Sequence, residues 1–129
     1  MTQQYVGTKI VTAWPAEKDG RPGYGVKYAD GYTSWSPKEI FEAAYLPLGH
    51  IEHLPDFLQR VIAEAADLHA RLTRLNAFLE SEQYQRVSER DRDDLQAQAR
   101  AMTAYWNALS TRVDHLRAEA EASFGTGRD

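Results

Sequence analysis

From Ile51 onward every positively charged side chain is an arginine: Arg60, Arg71, Arg74, Arg86, Arg90, Arg92, Arg100, Arg112, Arg117 and Arg128. All the lysines (Lys9, Lys18, Lys27 and Lys38) precede it. A guanidinium offers a planar fork of donors that grips phosphate through two bonds and also stacks on a base; an ammonium is a point charge. The chemistry such a set supports is phosphate recognition. The same side chains also serve as solvated partners of helix-surface carboxylates, and that reading stays open for any single one of them. Tyr84 stands beside Arg86 in a polar stretch, and an aromatic ring next to a guanidinium is a cradle for a base and a phosphate. Its alternative role is a plug against another subunit.

Other site chemistry is thinly represented. The histidines are His50, His53, His69 and His115. His50 and His53 have a spacing that suits two zinc ligands, but only Glu52 stands nearby as a third, so they read as part of a solvated linker. Asp114 and His115 are adjacent, and adjacent helical residues point about 100° apart. Ser110 with Asp114, and Thr111 with His115, share helix faces of the kind that arise often without catalysis. The acidic group Asp91, Asp93 and Asp94 is explained by a helix N-terminus. There is no HExxH, no phosphate-binding glycine loop and no GxGxxG. The expectation is no catalytic residue, no metal site and no cofactor.

Composition narrows the partners. The net charge of −4 argues against DNA binding by an extended basic face. The absence of cysteine excludes disulfides and thiol catalysis, and fits a cytoplasmic location. No apolar run approaches the roughly 18 residues that suggest a membrane span, and the start of the chain has no secretory pattern.

The elements that must position these residues fall into two parts. Two apolar seams run through the second: Leu58, Val61, Ala65, Leu68, Leu72, Leu75, Leu79, and Leu95, Ala99, Met102, Trp106, Leu109, Val113, Leu116, Ala120. Steps of three and four mark one stripe down a helix. The spacing predicts helices over about 55–80 and 89–123, joined as an antiparallel hairpin. Pro55 opens the first, Ser88 caps the second, and Gly125 and Gly127 stop it. Phe57, Ile62, Ala66, Ala70 and Phe78 form a second apolar flank that needs a further surface, so assembly is expected.

Residues 1–48 read as a small β module. Tyr5 to Trp14 is rich in β-branched and aromatic residues, with Pro15 ending the strand. Ala16 to Pro22 is a polar loop. Tyr24 to Tyr28 alternates, Asp30-Gly31 signals a two-residue hairpin turn, and Tyr32 to Trp35 returns. Ser36 is the expected N-cap of a short helix, with Pro37 first and Glu39 closing a capping box. The fold class is α+β: an antiparallel β module with a short helix at 1–48, then a helical hairpin at 49–129.

Two stretches of this chain resemble phage proteins. Tyr5 to Val11 (YVGTKIV) and Gly31 to Tyr45 (GYTSWSPKEIFEAAY) are similar to a leader module that precedes several phage domains. Leu54-Pro55 with Gln59 to Ile62, then Leu75 to Ser81, then Met102, Tyr105 and Arg112-Val113, resemble the helical hairpin of phage anti-defence sponges. The combination resembles the Thoeris anti-defence sponge family, whose hairpin is shared with anti-CBASS sponges. One departure is visible: where the family pattern has an acidic–basic pair after Val61-Ile62, Glu64 is followed by Ala65.

The resemblance implies a non-enzymatic protein that sequesters cyclic nucleotide second messengers in the host cytoplasm. The messengers are glycocyclic ADP-ribose isomers, and for some members cyclic di- or trinucleotides. It also implies a homo-oligomer, dimer or hexamer, with no DNA and no membrane partner. Residue chemistry and position then select the contacts. Arg60, Arg86 and Arg112 are expected to hold phosphate or ribose, with Tyr84 and Tyr105 as stacking platforms. The alternative is a phage hairpin adaptor for protein–protein assembly; a hydrolase of nucleotide signals is a third reading.

Overall fold

The computed structural model describes residues 1–126. The chain forms two compact units, Met1–Pro47 and Leu48–Asp129. The first holds an antiparallel sheet of β1 (Thr12–Pro15), β2 (Gly23–Lys27) and β3 (Thr33–Pro37), in the order β1-β2-β3, followed by α1 (Lys38–Ala44). The second holds α2 (Asp56–Leu79), a 3-10 turn (Glu82–Arg86) and α3 (Glu89–Thr126). The α+β architecture is the one the sequence predicts.

The sheet is organised around β2. Its odd positions face one side, where the register sets Trp14 and Trp35 on either side of Gly25. Gly23 and Gly25 are buried under those rings: a Cβ at Gly25 would overlap the Trp14 indole, and one at Gly23 the Trp35 indole. On the other side Val26 is buried and Tyr24 stacks on Phe41 of α1, ring centroids 4.4 Å apart. Phe41 stacks in turn on Tyr45 at 4.8 Å.

Three local expectations for this unit are corrected. The first strand is Thr12–Pro15, not Tyr5–Trp14. Its ladder starts where Thr12 meets Lys27, the last residue of β2, and the residues before it have no strand to pair with. Pro15 ends the strand as expected, paired opposite Tyr24 as its last residue, where β1 is an edge strand and a missing donor is tolerated. The two-residue turn sits at Asp19-Gly20, both at positive φ (52° and 77°), with Lys18 and Arg21 exchanging two 3.0 Å backbone bonds. Ala29-Asp30-Gly31 is instead a three-residue loop. There Tyr28 N–H donates to the Tyr32 carbonyl, only Gly31 has positive φ, and Asp30 Oδ1 accepts from Tyr32 N–H at 2.9 Å. Ser36 does not cap α1. It is paired in β3 opposite Tyr24, the cap position falls to Pro37, and no side chain bonds there.

The hairpin buries the predicted seams. Leu58, Val61, Leu68 and Leu72 of α2, and Ala99 and Leu109 of α3, are buried. Val61, Leu68 and Leu109 form one cluster with Ala65, Met102, Trp106 and Val113 packed on it. A second cluster closes the open end: Ile51, Leu54, Leu58 and Ile62, with Leu48, Val113, Leu116 and Ala120 against it. The segment before α2 is thus part of the core rather than a solvated linker, although His50 and His53 are exposed. Gln59 Nε2 donates to the Leu54 carbonyl at 2.9 Å and fixes that segment to the first turn of α2. Ile62, from the second flank, is consumed by this cluster, whereas Phe57 keeps 46% of its surface exposed.

Ser88 caps α3 as its sequence predicts, its Oγ accepting from Asp91 N–H at 3.1 Å. At its far end α3 does not stop at Gly125; the backbone stays helical to Thr126. Gly127 and Arg128 lie outside the described residues. Among the described residues no helix is long and apolar enough to cross a membrane.

Candidate functional site on the helical hairpin

The tertiary structure sorts the predicted contact residues into two groups. Arg60 lies in the first part of α2, and Tyr105 and Arg112 lie on α3. Tyr84 and Arg86 lie in the 3-10 turn at the opposite end of the hairpin. Along α2 from Arg60 to that turn is about 30 Å at 1.5 Å per residue. One small ligand held by a single chain cannot touch both groups.

Tyr105 anchors the first group. It is 48% exposed, and its hydroxyl donates to the Glu64 carboxylate of α2, 41 residues away in sequence. That bond to an anionic acceptor, more than desolvation, raises the Tyr105 pKa above its ordinary value; the positive charge of Arg112 opposes the rise. Arg112 stands two turns after Tyr105 on the same side of α3, and Arg60 one turn before Glu64 on α2. Arg60, Tyr105 and Arg112 therefore belong to one side of the hairpin.

A shallow groove of about 350 Å³ runs beside Tyr105, lined by Glu64, Asp67, Leu68, Arg71, Ala101, Met102 and Tyr105. Asp67 is paired with Arg71 at 3.4 Å, both well exposed, which makes a weak surface pair. Arg60, Arg86 and Arg112 are exposed, and among the described residues none has an ion-pair partner. Their donors are free for an anion.

Tyr84 does not offer the open face expected of it. It is buried, 7% exposed, with its ring edge-on to Phe78 at 6.3 Å. Its hydroxyl accepts from Gln96 Nε2 at 2.6 Å and donates to the Arg92 carbonyl at 3.4 Å. These bonds tie the turn to the first part of α3, so Tyr84 acts as a pin inside its own hairpin. Arg86, at the end of the 3-10 turn, remains exposed.

Sequence reasoning noticed Glu64 only as a departure from a pattern. Its pairing with Tyr105 depends on how the two helices meet, and no local signal carries it. A second groove, lined by Asn76, Ala99, Arg100, Thr103, Ala104 and Asn107, was also not foreseen. The only trace of it in the sequence is the three-and-four spacing of Arg100, Thr103, Ala104 and Asn107. Among the described residues no group of three or more His, Asp and Glu side chains is placed to hold a metal ion.

Residues 55–115 match the family model named Sequestin. The matched segment takes in α2, the 3-10 turn and most of α3, and the match fits the phage anti-defence sponge family that these residues resemble. No curated protein and no solved structure matches the chain.

Proposed function

We propose that this protein is a phage anti-defence sponge: it binds cyclic nucleotide immune signals and withholds them from the host effector without cleaving them. The single observation that carries the reading is the Sequestin match over the hairpin, whose name denotes sequestration. Glycocyclic ADP-ribose isomers of Thoeris are the first messenger class, and CBASS cyclic di- and trinucleotides the second. The protein works in the host cytoplasm, as a homo-oligomer.

Arg60 and Arg112 hold phosphate or ribose, and the exposed face of Tyr105 stacks the base. The Glu64 carboxylate holds the Tyr105 hydroxyl and so limits the swing of the ring. Binding to a ring already held in place costs less side-chain entropy. Arg86 contributes only across a subunit boundary, because it lies at the far end of its own hairpin. Oligomerisation is supported by the exposed Phe57 on a helix whose other large apolar residues are buried or half-buried.

The test is capture and release. Purified protein is mixed with glycocyclic ADP-ribose isomers and cyclic di- and trinucleotides, freed of unbound ligand and boiled; the released material is then chromatographed. Capture of one class and its return unchanged is the expected result. An altered product would make the protein a hydrolase, and no capture would favour the adaptor reading. Removing a charged contact costs about 1.5–3 kcal/mol, so Arg112→Ala loses about ten- to a hundredfold or more in affinity. Undiminished binding by that variant removes Arg112 from the site.

A further inference from the structure

We infer that the uncovered face of the N-terminal sheet is a nucleotide-binding surface separate from the hairpin: Trp14 stacks the base, and Lys18 and Arg21 hold the phosphate. The two faces of this sheet differ. Helix α1 packs on one, through Phe41 against Tyr24. No element of the unit packs on the other, which carries Trp14 and Trp35 across Gly25. The glycine lets the Trp14 indole lie flat on the strand, with its opposite π-face outward and 44% of the residue exposed. An indole pressed flat against backbone has few rotamers left to lose when a base stacks on it.

The cations are placed by the fold. The Asp19-Gly20 turn closes with Lys18 and Arg21 bonded to each other through the backbone, so their side chains leave the turn together. Lys18 Nζ lies 5.8 Å, and Arg21 Cζ 5.9 Å, from the centre of the Trp35 ring. Trp35 is itself fixed by its Nε1–H, which donates to the Ala16 carbonyl at 2.8 Å. The carboxylates of the same turn, Glu17 and Asp19, are exposed, and among the described residues neither is ion-paired with Lys18 or Arg21. The two positive groups therefore keep their donors for an outside anion. Lys27, exposed on the same sheet face, adds a third cation.

The Trp14 indole lies over Gly25 and the Trp35 indole, with its two cations, over Gly23, two residues or about 7 Å along the same strand. A neutral aromatic ring would use Trp14 alone, and a free phosphate only the cations. A nucleotide uses both.

The experiment follows the indole N–H signals of Trp14, Trp35 and Trp106 in the full chain during titration with ADP, adenosine and inorganic phosphate. Trp106 belongs to the hairpin and reports binding there, so failure of this proposal and failure of the hairpin reading are distinguishable. The expected result is saturable movement of the Trp14 and Trp35 signals with ADP, and affinity about tenfold weaker for adenosine or phosphate alone. The double variant Lys18→Glu, Arg21→Glu alters only exposed side chains and loses at least about tenfold in ADP affinity. Trp14→Ala loses a similar factor; if it disturbs the sheet, the charge-reversal variant still decides. Static Trp14 and Trp35 signals up to millimolar ADP, movement of Trp106 alone, equal affinity for adenosine and ADP, or an unaffected charge-reversal variant would each overturn the assignment.

Discussion

Leu58 and Phe57 are neighbours in sequence and opposites in environment, and replacing each by alanine tests how the open end of the hairpin is built. Leu58 is 1% exposed, packed with Ile51, Leu54 and Ile62 in a cluster that also takes in Val113 and Leu116. Leu58→Ala removes three carbon groups from that cluster. At about 0.8 kcal/mol per buried CH₂, the lost transfer energy is about 2.4 kcal/mol. The cavity left behind adds to it, because Leu58 is enclosed by the segment before α2 on one side and by Val113 and Leu116 of α3 on the other, so the total is about 3–4 kcal/mol. Phe57 keeps 46% of its surface exposed, and in a single hairpin Phe57→Ala costs about 1 kcal/mol or less. The assay is urea unfolding followed by helical circular dichroism at several protein concentrations, with Leu58→Met as the volume-conserving control below about 1.5 kcal/mol. A loss under about 1 kcal/mol for Leu58→Ala would refute the claim that this cluster closes the hairpin. A concentration-dependent loss for Phe57→Ala as large as that for Leu58→Ala would show that the exposed ring is a subunit contact, since stability linked to association varies with protomer concentration.

Gly25→Ala places a Cβ in the Trp14 indole and should destabilise the N-terminal unit by about 1–3 kcal/mol, seen as early loss of near-ultraviolet dichroism from the tryptophans. Ser88→Ala deletes the bond from Asp91 N–H and should cost about 1 kcal/mol in the same urea assay, with Ser88→Asp restoring it. Tyr105 holds its proton more tightly than an ordinary tyrosine, because its hydroxyl donates to the Glu64 carboxylate. A raised folded-state pKa stabilises the fold fully below the ordinary tyrosine range, and that contribution is lost as pH rises through the higher folded value. Glu64→Gln should bring the tyrosinate absorbance transition of Tyr105 down toward the ordinary range; an unmoved transition would show that the bond does not form in solution.

Residue types and their spacing were enough to determine the hairpin. A stripe of apolar residues in steps of three and four has one low-energy solution, and Ser88 marks where its second helix starts because its side chain bonds a donor within the same turn. The sheet was legible as β-forming segments, but its boundaries were not. Two Asp-Gly pairs carry the same local signal, and only strand register decides which makes the two-residue turn: packing of Trp14 and Trp35 across Gly25 fixes that register and puts the turn at Asp19-Gly20. Ser36 has the chemistry of a cap, yet pairing opposite Tyr24 draws it into β3. Tyr84 has the chemistry of a binding platform, yet Phe78, Gln96 and the Arg92 carbonyl converge on it once the helices fold back. Local bonds can be read from a few residues. Glu64 meeting Tyr105, and Ile51 and Leu54 sealing the open end, depend on contacts between segments far apart in the chain, and only the tertiary structure brings those together.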